Sequence, residues 1–310
     1  DALPISEEEP RAGRVAIVGR PNVGKSTLLN ALLGQKLAIT TPRPGTTRSC
    51  LLGVHWSDEP PTQIAFVDTP GLERPRSVLG RVLVEEAQGA FEGADVILVL
   101  VDATHRGPGD DPLPAEDVAI VEQALAIGKP VVLAINKVDK LKDKTALLPK
   151  LEAWDGRFDF ASLIPLSALK RDNLEPLLRE LRALLPEGLL YPPDVLTDRP
   201  ERFFVAEMVR ESIIVHTRQE VPYSVAVQVE EYREDGNLTR IGATIFVDKR
   251  SHKGILIGKG GQMLKDIGTR ARLAMEEHLQ RKVFLELFVR VEEDWTRDAH
   301  KVRTLTKEPD

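Results

Sequence analysis

The sequence predicts an α/β domain built on a doubly wound, mostly parallel sheet, followed by a smaller α+β domain. Three observations predict it. From residue 14 to residue 185, short apolar runs alternate with helix-like stretches, the mark of a parallel sheet covered on both faces. A segment rich in proline and glycine then interrupts the pattern. Beyond it the elements follow a different order, α-β-β-loop-α-β.

Residues 14–18 read as a buried strand that runs into a glycine-rich turn, and residues 26–33 as the helix that follows. The apolar runs 64–67, 96–101, 131–135 and 162–166 read as further strands. Between them, 79–91, 116–126 and 173–185 have helical spacing. Pro186, Gly188, Pro192, Pro193 and Pro200 give the next stretch the composition of a stiff linker. The expected division is a first domain over 13–186, a linker over 187–202 and a second domain over 203–303. Disordered acidic residues 1–12 and a tail at 304–310 flank them.

In the second domain, Phe204, Met208, Ile213 and Ile214 place a helix over 203–217. Residues 221–232 and 240–247 read as strands around the turn Asp235-Gly236-Asn237. One short helix is expected before the glycine-rich loop 254–261, then a helix over 262–280 and a strand over 283–291.

The composition is that of an ordinary globular protein, 42% hydrophobic and 29% charged. Without a run of about 18 apolar residues, no transmembrane helix is expected. The start has no apolar segment of the signal-peptide kind. One cysteine, Cys50, excludes an internal disulfide and fits a reducing cytoplasm. The net charge of −6 argues against coating nucleic acid by bulk charge. Yet residues 249–272 hold seven basic side chains and one acidic one, Asp266, a local basic patch on an acidic chain.

Gly19-Arg20-Pro21-Asn22-Val23-Gly24-Lys25-Ser26 matches G-x4-G-K-[ST] between a strand and a helix, continuing into Thr27. Its glycines let backbone N–H groups curl around phosphate oxygens, and the helix presents its positive end to them. In that arrangement Lys25 reaches the β- and γ-phosphates and Ser26 ligates Mg²⁺. Asp68-Thr69-Pro70-Gly71 follows the strand 64–67, with Asp68 placed to hold Mg²⁺ through water and Gly71 to offer its N–H to the γ-phosphate. Asn136-Lys137-Val138-Asp139 follows the strand 131–135. The Asp139 carboxylate can accept from guanine N1–H and the 2-amino group; adenine lacks that donor pair, so GTP and GDP are the expected ligands.

Taken in order at matching strand ends, these motifs resemble the translation-factor-like branch of P-loop GTPases. The resemblance makes Pro44-Gly45-Thr46-Thr47-Arg48 the first switch loop, with Thr47 on Mg²⁺ and the γ-phosphate. It also makes Ser167-Ala168-Leu169 a loop whose N–H groups touch guanine O6. Many such enzymes orient the attacking water with a glutamine at position 72, where this chain has Leu72. Slow intrinsic turnover is therefore expected. Relatives with an apolar residue there often use K⁺ held by a phosphate-loop asparagine, the position of Asn22.

In the second domain, Gly258-Lys259-Gly260-Gly261 is a G-x-x-G loop that lets a sugar–phosphate backbone approach closely. Lys253, Lys259, Lys265 and Arg270 supply charge, and the flanking Ile255, Leu256 and Ile257 an apolar floor for unstacked bases. The order of elements matches a type II KH domain, which takes single-stranded RNA. A GTPase followed by such a module resembles the Era-type family of bacterial ribosome-assembly GTPases over residues 15–297. Its marks are Asp198-Arg199-Pro200-Glu201-Arg202-Phe203, the loop 254–261, and 283–287 through Asp294-Trp295. The resemblance implies binding of the 3′ end of 16S ribosomal RNA, assistance in 30S subunit assembly and peripheral contact with the inner membrane; a monomeric, cytoplasmic protein is also expected. Ser49-Cys50-Leu51 and the loop 105–114 depart from the family's pattern. The single phosphate loop and single N-K-x-D disfavour a double-domain GTPase, and the lack of a C-terminal reactive cysteine disfavours a tRNA-modifying one.

Overall fold

The computed structural model describes residues 9–41, 47–71, 77–107, 111–192, 194–218 and 220–306. Two compact units make up the chain. One takes residues 1–38, 50–74 and 84–198, the other residues 39–49, 75–83 and 199–310.

The first unit is built on six strands: β1 (Arg11–Gly19), β2 (Leu51–Asp58), β3 (Pro61–Asp68), β4 (Val96–Asp102), β5 (Val131–Asn136) and β6 (Ser162–Pro165). They lie in the order β2-β3-β1-β4-β5-β6, all parallel except β2, which pairs antiparallel with β3. Every residue of β4 and β5 is buried, as expected of strands covered on both faces. The helices of this unit are α1 (Lys25–Leu33), α3 (Ala115–Ala126), α4 (Leu148–Asp155) and α5 (Leu174–Leu184); α2 (Val78–Glu92) begins in the residues counted with the other unit. The core beside β4 and β5 includes Ile97, Val99, Leu133 and Ile135 with Val121 of α3 and Trp154 of α4.

The strand order reverses at β1, whose neighbours are β3 and β4. In open α/β sheets ligands bind at such a point, outside the carboxyl ends of the strands. Register brings those ends level: Ile17 pairs with Asp68, Gly19 with Leu100, Asp102 with Asn136 and Ile135 with Pro165.

β1 begins at Arg11, within the segment 1–12 expected to be disordered, of which residues 1–8 lie outside the described residues. Arg11 and Ala12 are tied in by pairing with Thr62 and Gln63 and by the Arg11 guanidinium on the Leu185 carbonyl. Described residues of the linker are tied in as well. Gln63 holds Leu190 and Tyr191, Val54 donates to the Leu196 carbonyl, and Thr197 donates to that of Leu52.

The second unit comprises α6 (Glu201–His216), β7 (Val225–Asp235), β8 (Leu238–Val247), α7 (Arg250–Ile257), α8 (Gln262–Leu279), β9 (Lys282–Val291) and α9 (Ala299–Thr306). Its sheet runs β7-β8-β9, antiparallel then parallel. Val283, Leu285, Leu287, Val289 and Val291 of β9 face the core with α6 and α8 side chains such as Val209, Ile213, Ile267 and Met275. A further cluster holds Ala226, Phe246, Trp295, Val302 and Leu305. α9 runs to Thr306, past the boundary expected at 303, because Val302 and Leu305 are buried there.

Candidate functional site

β1 delivers the chain into the loop 19–24 at the reversal point. Gly19 has φ +151°, and a Cβ there would stand 2.4 Å from the Leu100 carbonyl oxygen, so only glycine lets the loop leave the sheet at this place. Gly24 (φ +105°) brings the backbone against Asn136 Nδ2, 2.4 Å from where a Cβ would be. The first turn of α1 contains no acidic residue, which leaves its positive end for an anion. The buried Lys25 folds over the loop, its Nζ donating to the carbonyls of Gly19 (2.9 Å) and Arg20 (3.0 Å).

Ser26 Oγ donates to Asp68 Oδ2 at 2.6 Å, and Asp68 is wholly buried at the end of β3. A hydroxyl and a carboxylate this close beside an anion cradle form the hard oxygen donor set that Mg²⁺ takes, so these residues fit the ion the sequence implies.

Asn136 links three loops. Its Nδ2 donates to the Val23 carbonyl at 2.8 Å, and its Oδ1 accepts from the backbone N–H of Lys137 (2.8 Å) and Ala168 (3.0 Å). The Lys137 ammonium donates to the Asn22 carbonyl at 2.5 Å and to Asp102 Oδ2 at 2.6 Å. Burial pushes the Asp102 carboxyl up, but hydrogen bonds from Lys137 and Thr104 outweigh it and hold the group below its ordinary range. Asp139 Oδ1 accepts from Ser167 Oγ at 2.6 Å, which fixes the carboxylate that would read the base.

Lys25, Ser26, Asp68, Asn136, Lys137, Asp139, Ser167 and Ala168 thus converge at one end of the sheet. Other residues chosen from sequence have different surroundings. Val23 is fully buried and packs the loop from beneath. The Thr69 hydroxyl donates to the Ile17 carbonyl at 2.8 Å, a tie between strands. Gly71 lies against Pro21, whose Cγ would be 2.6 Å from a Cβ there. The Ala168 N–H is held by Asn136, so contact with guanine O6 has to share that bond. Leu169 is 67% exposed. Leu72 and the switch residues 44–46 lie outside the described residues. Thr47 is described and counts with the second unit, as does Arg48. The buried Arg48 guanidinium donates to the carbonyls of Pro222 (3.0 Å) and Val225; burial first, then the nearby Arg210, lower its pKa to about 9. Sequence reasoning misses Asp102, Asp117 and the Arg20 side chain. Of these only Asp102 has a usable signal, as a carboxylate ending an apolar strand like Asp68.

In the second unit, α7 and α8 flank the loop Gly258-Lys259-Gly260-Gly261. All three glycines have positive φ, and nothing lies within 4 Å of a Cβ at Gly260 or Gly261, so the loop is open where a nucleic-acid backbone would pass. Lys259, Lys265 and Arg270 are exposed and have no ion-pair partner among the described residues. Lys253 is half-buried, and Arg272 pairs with Glu276 at 3.0 Å. The apolar floor differs from expectation in one member. Leu256 is in the core, because α7 turns that face onto the sheet, whereas Ile255 is exposed and Ile257 half-buried. Leu273 on α8, three residues beyond Arg270, is the exposed apolar side chain that sequence reading misses.

Residues 14–137 match the family described as 50S ribosome-binding GTPase, and residues 220–296 match the KH domain family. GTPase Era of Geobacter metallireducens is 46% identical over 304 residues, 97% of this chain and 99% of that protein. GTPase Era of Stenotrophomonas maltophilia is 46% identical over 95% of this chain and 97% of its own length. Among solved structures, Era in complex with MgGDPNP and nucleotides 1506–1542 of 16S ribosomal RNA has a TM-score of 0.89 at 42% identity, covering 96% of this chain and 98% of that one. A point variant of Aquifex aeolicus Era bound to GDP.AlF4⁻ has a TM-score of 0.88 at 43% identity, with 95% and 98% covered. Relatedness of this degree over the full length, added to a G-x4-G-K-S loop, an N-K-x-D segment and a G-x-x-G loop in one chain, makes the protein a member of the GTPase Era family, a GTP-hydrolysing enzyme with a KH domain.

Proposed function

We propose that this GTPase binds the 3′ end of 16S ribosomal RNA through its KH domain and assists assembly of the 30S subunit, alternating between GTP and GDP states. The observation that carries this reading is the open Gly258–Gly261 loop with the exposed Lys259, Lys265 and Arg270, on a chain whose Era relative was solved with that RNA. Lys25 holds the β- and γ-phosphates, Asp139 reads guanine, and Gly71 donates its N–H to the γ-phosphate. Ser26 and Asp68 would hold Mg²⁺, present in the same relative as MgGDPNP, with Thr47 the further ligand that the family resemblance implies, and the ion would neutralise charge on the phosphates. The ordering of Thr47 by GTP is what makes the cycle a switch.

The test is RNA binding by the full chain against an oligonucleotide of the 16S 3′ end and a scrambled control. Tight binding of the first alone, lost in Lys259→Asp/Gly260→Asp with GTP hydrolysis retained, supports the reading. Gly260 faces open space but has φ +61°, so aspartate there adds backbone strain as well as charge, and Lys259→Asp alone serves as the charge-only comparison. Equal binding of both oligonucleotides would overturn it.

With leucine at position 72, hydrolysis is slow unless an ion or partner positions the water. Asn22, with φ +62° and its carbonyl anchored by Lys137, is the residue for a K⁺ ligand. Faster kcat in potassium than in sodium buffer, abolished in Asn22→Ala, is the expected outcome; equal kcat in the two buffers contradicts it. Monomeric state and peripheral membrane contact belong to the same proposal on family resemblance alone; among the described residues no helix is long and apolar enough to cross a membrane.

A further inference from the structure

Asp117 is the third residue of α3, and 1% of its surface reaches solvent. Its carboxylate receives both arms of Arg20, Nε on Oδ1 at 2.6 Å and Nη2 on Oδ2 at 3.1 Å. A bidentate fork of this kind fixes both position and orientation. Arg20 is the second residue of the phosphate loop, and its backbone carbonyl accepts from Lys25 Nζ. Residue 20 is therefore gripped at its two ends, the side chain by α3 and the carbonyl by the phosphate-binding lysine. Farther along the loop, the carbonyls of Asn22 and Val23 are held by Lys137 and by Asn136 at the end of β5. Arg20 supplies the matching anchor on the opposite end of the loop.

A free arginine at this position would suggest a phosphate ligand. Here the guanidinium is neutralised by Asp117, and its Nη2 is also 2.5 Å from His105 Nδ1. That arrangement assigns it to support rather than to substrate. We propose that Asp117 is a positioning residue for GTP hydrolysis: through the Arg20 fork it fixes the first turn of the phosphate loop and with it the ammonium of Lys25. The proposal rests on Lys25 being the phosphate-binding cation.

The electrostatics give it a signature. Burial raises the Asp117 carboxyl, and Arg20 pulls it part of the way back. The other groups around the pair are His105, Asp102 at the end of β4, Glu116 on α3 (3.7 Å from Arg20 Nη1), Lys137 beside Asp102, and Lys150 of α4, whose Nζ donates to the carbonyls of Ala103 and His105. Of these, His105 joins Arg20 in lowering the Asp117 carboxyl, the Lys150 ammonium, which Asp117 stabilises in turn, acts in the same direction, and Asp102 raises it. Removing Arg20 therefore leaves a buried carboxylate that protonates nearer neutral pH.

The experiment compares GTP hydrolysis by wild type, Asp117→Asn, Arg20→Gln and the double variant from pH 5.5 to 8.5, with thermal melts as the folding control. Asp117→Asn should lower kcat/KM about tenfold, the usual effect of losing a group that orients a site residue. Arg20→Gln should lose a similar factor at pH 8, and its activity relative to wild type should rise as pH falls, because protonation removes the unpaired buried charge. The double variant should lose no more than the worse single and show no such rise. Additive losses, singles within twofold of wild type, or an Arg20→Gln profile parallel to wild type would each overturn the proposal. Should Asp117→Asn not fold, Arg20→Lys keeps the charge without the fork and is read against the same threshold. Lys25→Ala separates the two claims: if it hydrolyses GTP normally, the reading of Lys25 fails; if it is inactive while Asp117→Asn is normal, only the Asp117 proposal fails.

Discussion

Asp139 receives a single described hydrogen bond from Ser167 Oγ, and its specificity rests on two donors of the base. Asparagine at this position repels the N1–H donor with its own amide and accepts fewer bonds. Asp139→Asn is expected to weaken GTP at least about 100-fold, since two hydrogen bonds to a charged group are worth roughly 3 kcal/mol or more. It should improve xanthosine triphosphate, whose 2-oxo group accepts from the new amide. Competition binding with the two nucleotides checks this, and equal weakening of both would argue for simple misfolding. At this scale much of the site is legible in sequence, because Lys25, Ser26, Asp68, Asn136, Lys137 and Asp139 sit at strand ends in contiguous motifs. Arg20–Asp117 is not legible: the partners are 97 residues apart, and neither motif nor periodicity joins them. Leu256 misleads for a related reason, since exposure around a short helix depends on the sheet it packs on, which the sequence states only indirectly.

At the level of elements, the alternation of apolar runs and helical spacing recovers the strands β1 and β3 to β6 and the main helices, with boundaries shifted by one to three residues. β2 escapes sequence reading. Its sequence, Leu-Leu-Gly-Val-His-Trp-Ser-Asp, has no strict alternation, and Gly53 reads as a breaker. In the fold that glycine is a fitting residue: a Cβ there would lie 2.5 Å from Leu33 Cδ1 of α1. α4 escapes because it is eight residues long and carries a proline in its first turn. Yet α4 delivers Trp154, fully enclosed against Phe158 and Phe160 with ring centroids 5.8 and 6.3 Å away. Trp154→Ala should destabilise the first unit by about 3–5 kcal/mol, the range for deleting a buried aromatic. Chemical denaturation monitored for the GTPase unit checks it. A loss under about 1 kcal/mol would mean that the site collapses around the gap.

The molecule as a whole joins a GTPase unit and a KH-domain unit. One carries the G-x4-G-K-S loop and the N-K-x-D segment, and the other the open G-x-x-G loop. Segment 39–49, which contains the expected first switch loop, and segment 75–83 are counted with the KH-domain unit. Within it Arg48, next to Thr47, is anchored on the backbone of residues 222 and 225. The proposed switch requires that an ordering of Thr47 by GTP act through this segment on RNA binding. Coupling of this kind is reciprocal and typically amounts to about 5- to 150-fold in affinity. The most direct measurement is the affinity of the full-length chain for the 16S 3′-end oligonucleotide in the presence of Mg²⁺ with a non-hydrolysable GTP analogue and with GDP. The switch predicts tighter RNA binding in the GTP state and an equal factor on analogue affinity when RNA is present. Identical RNA affinities in the two nucleotide states would contradict it.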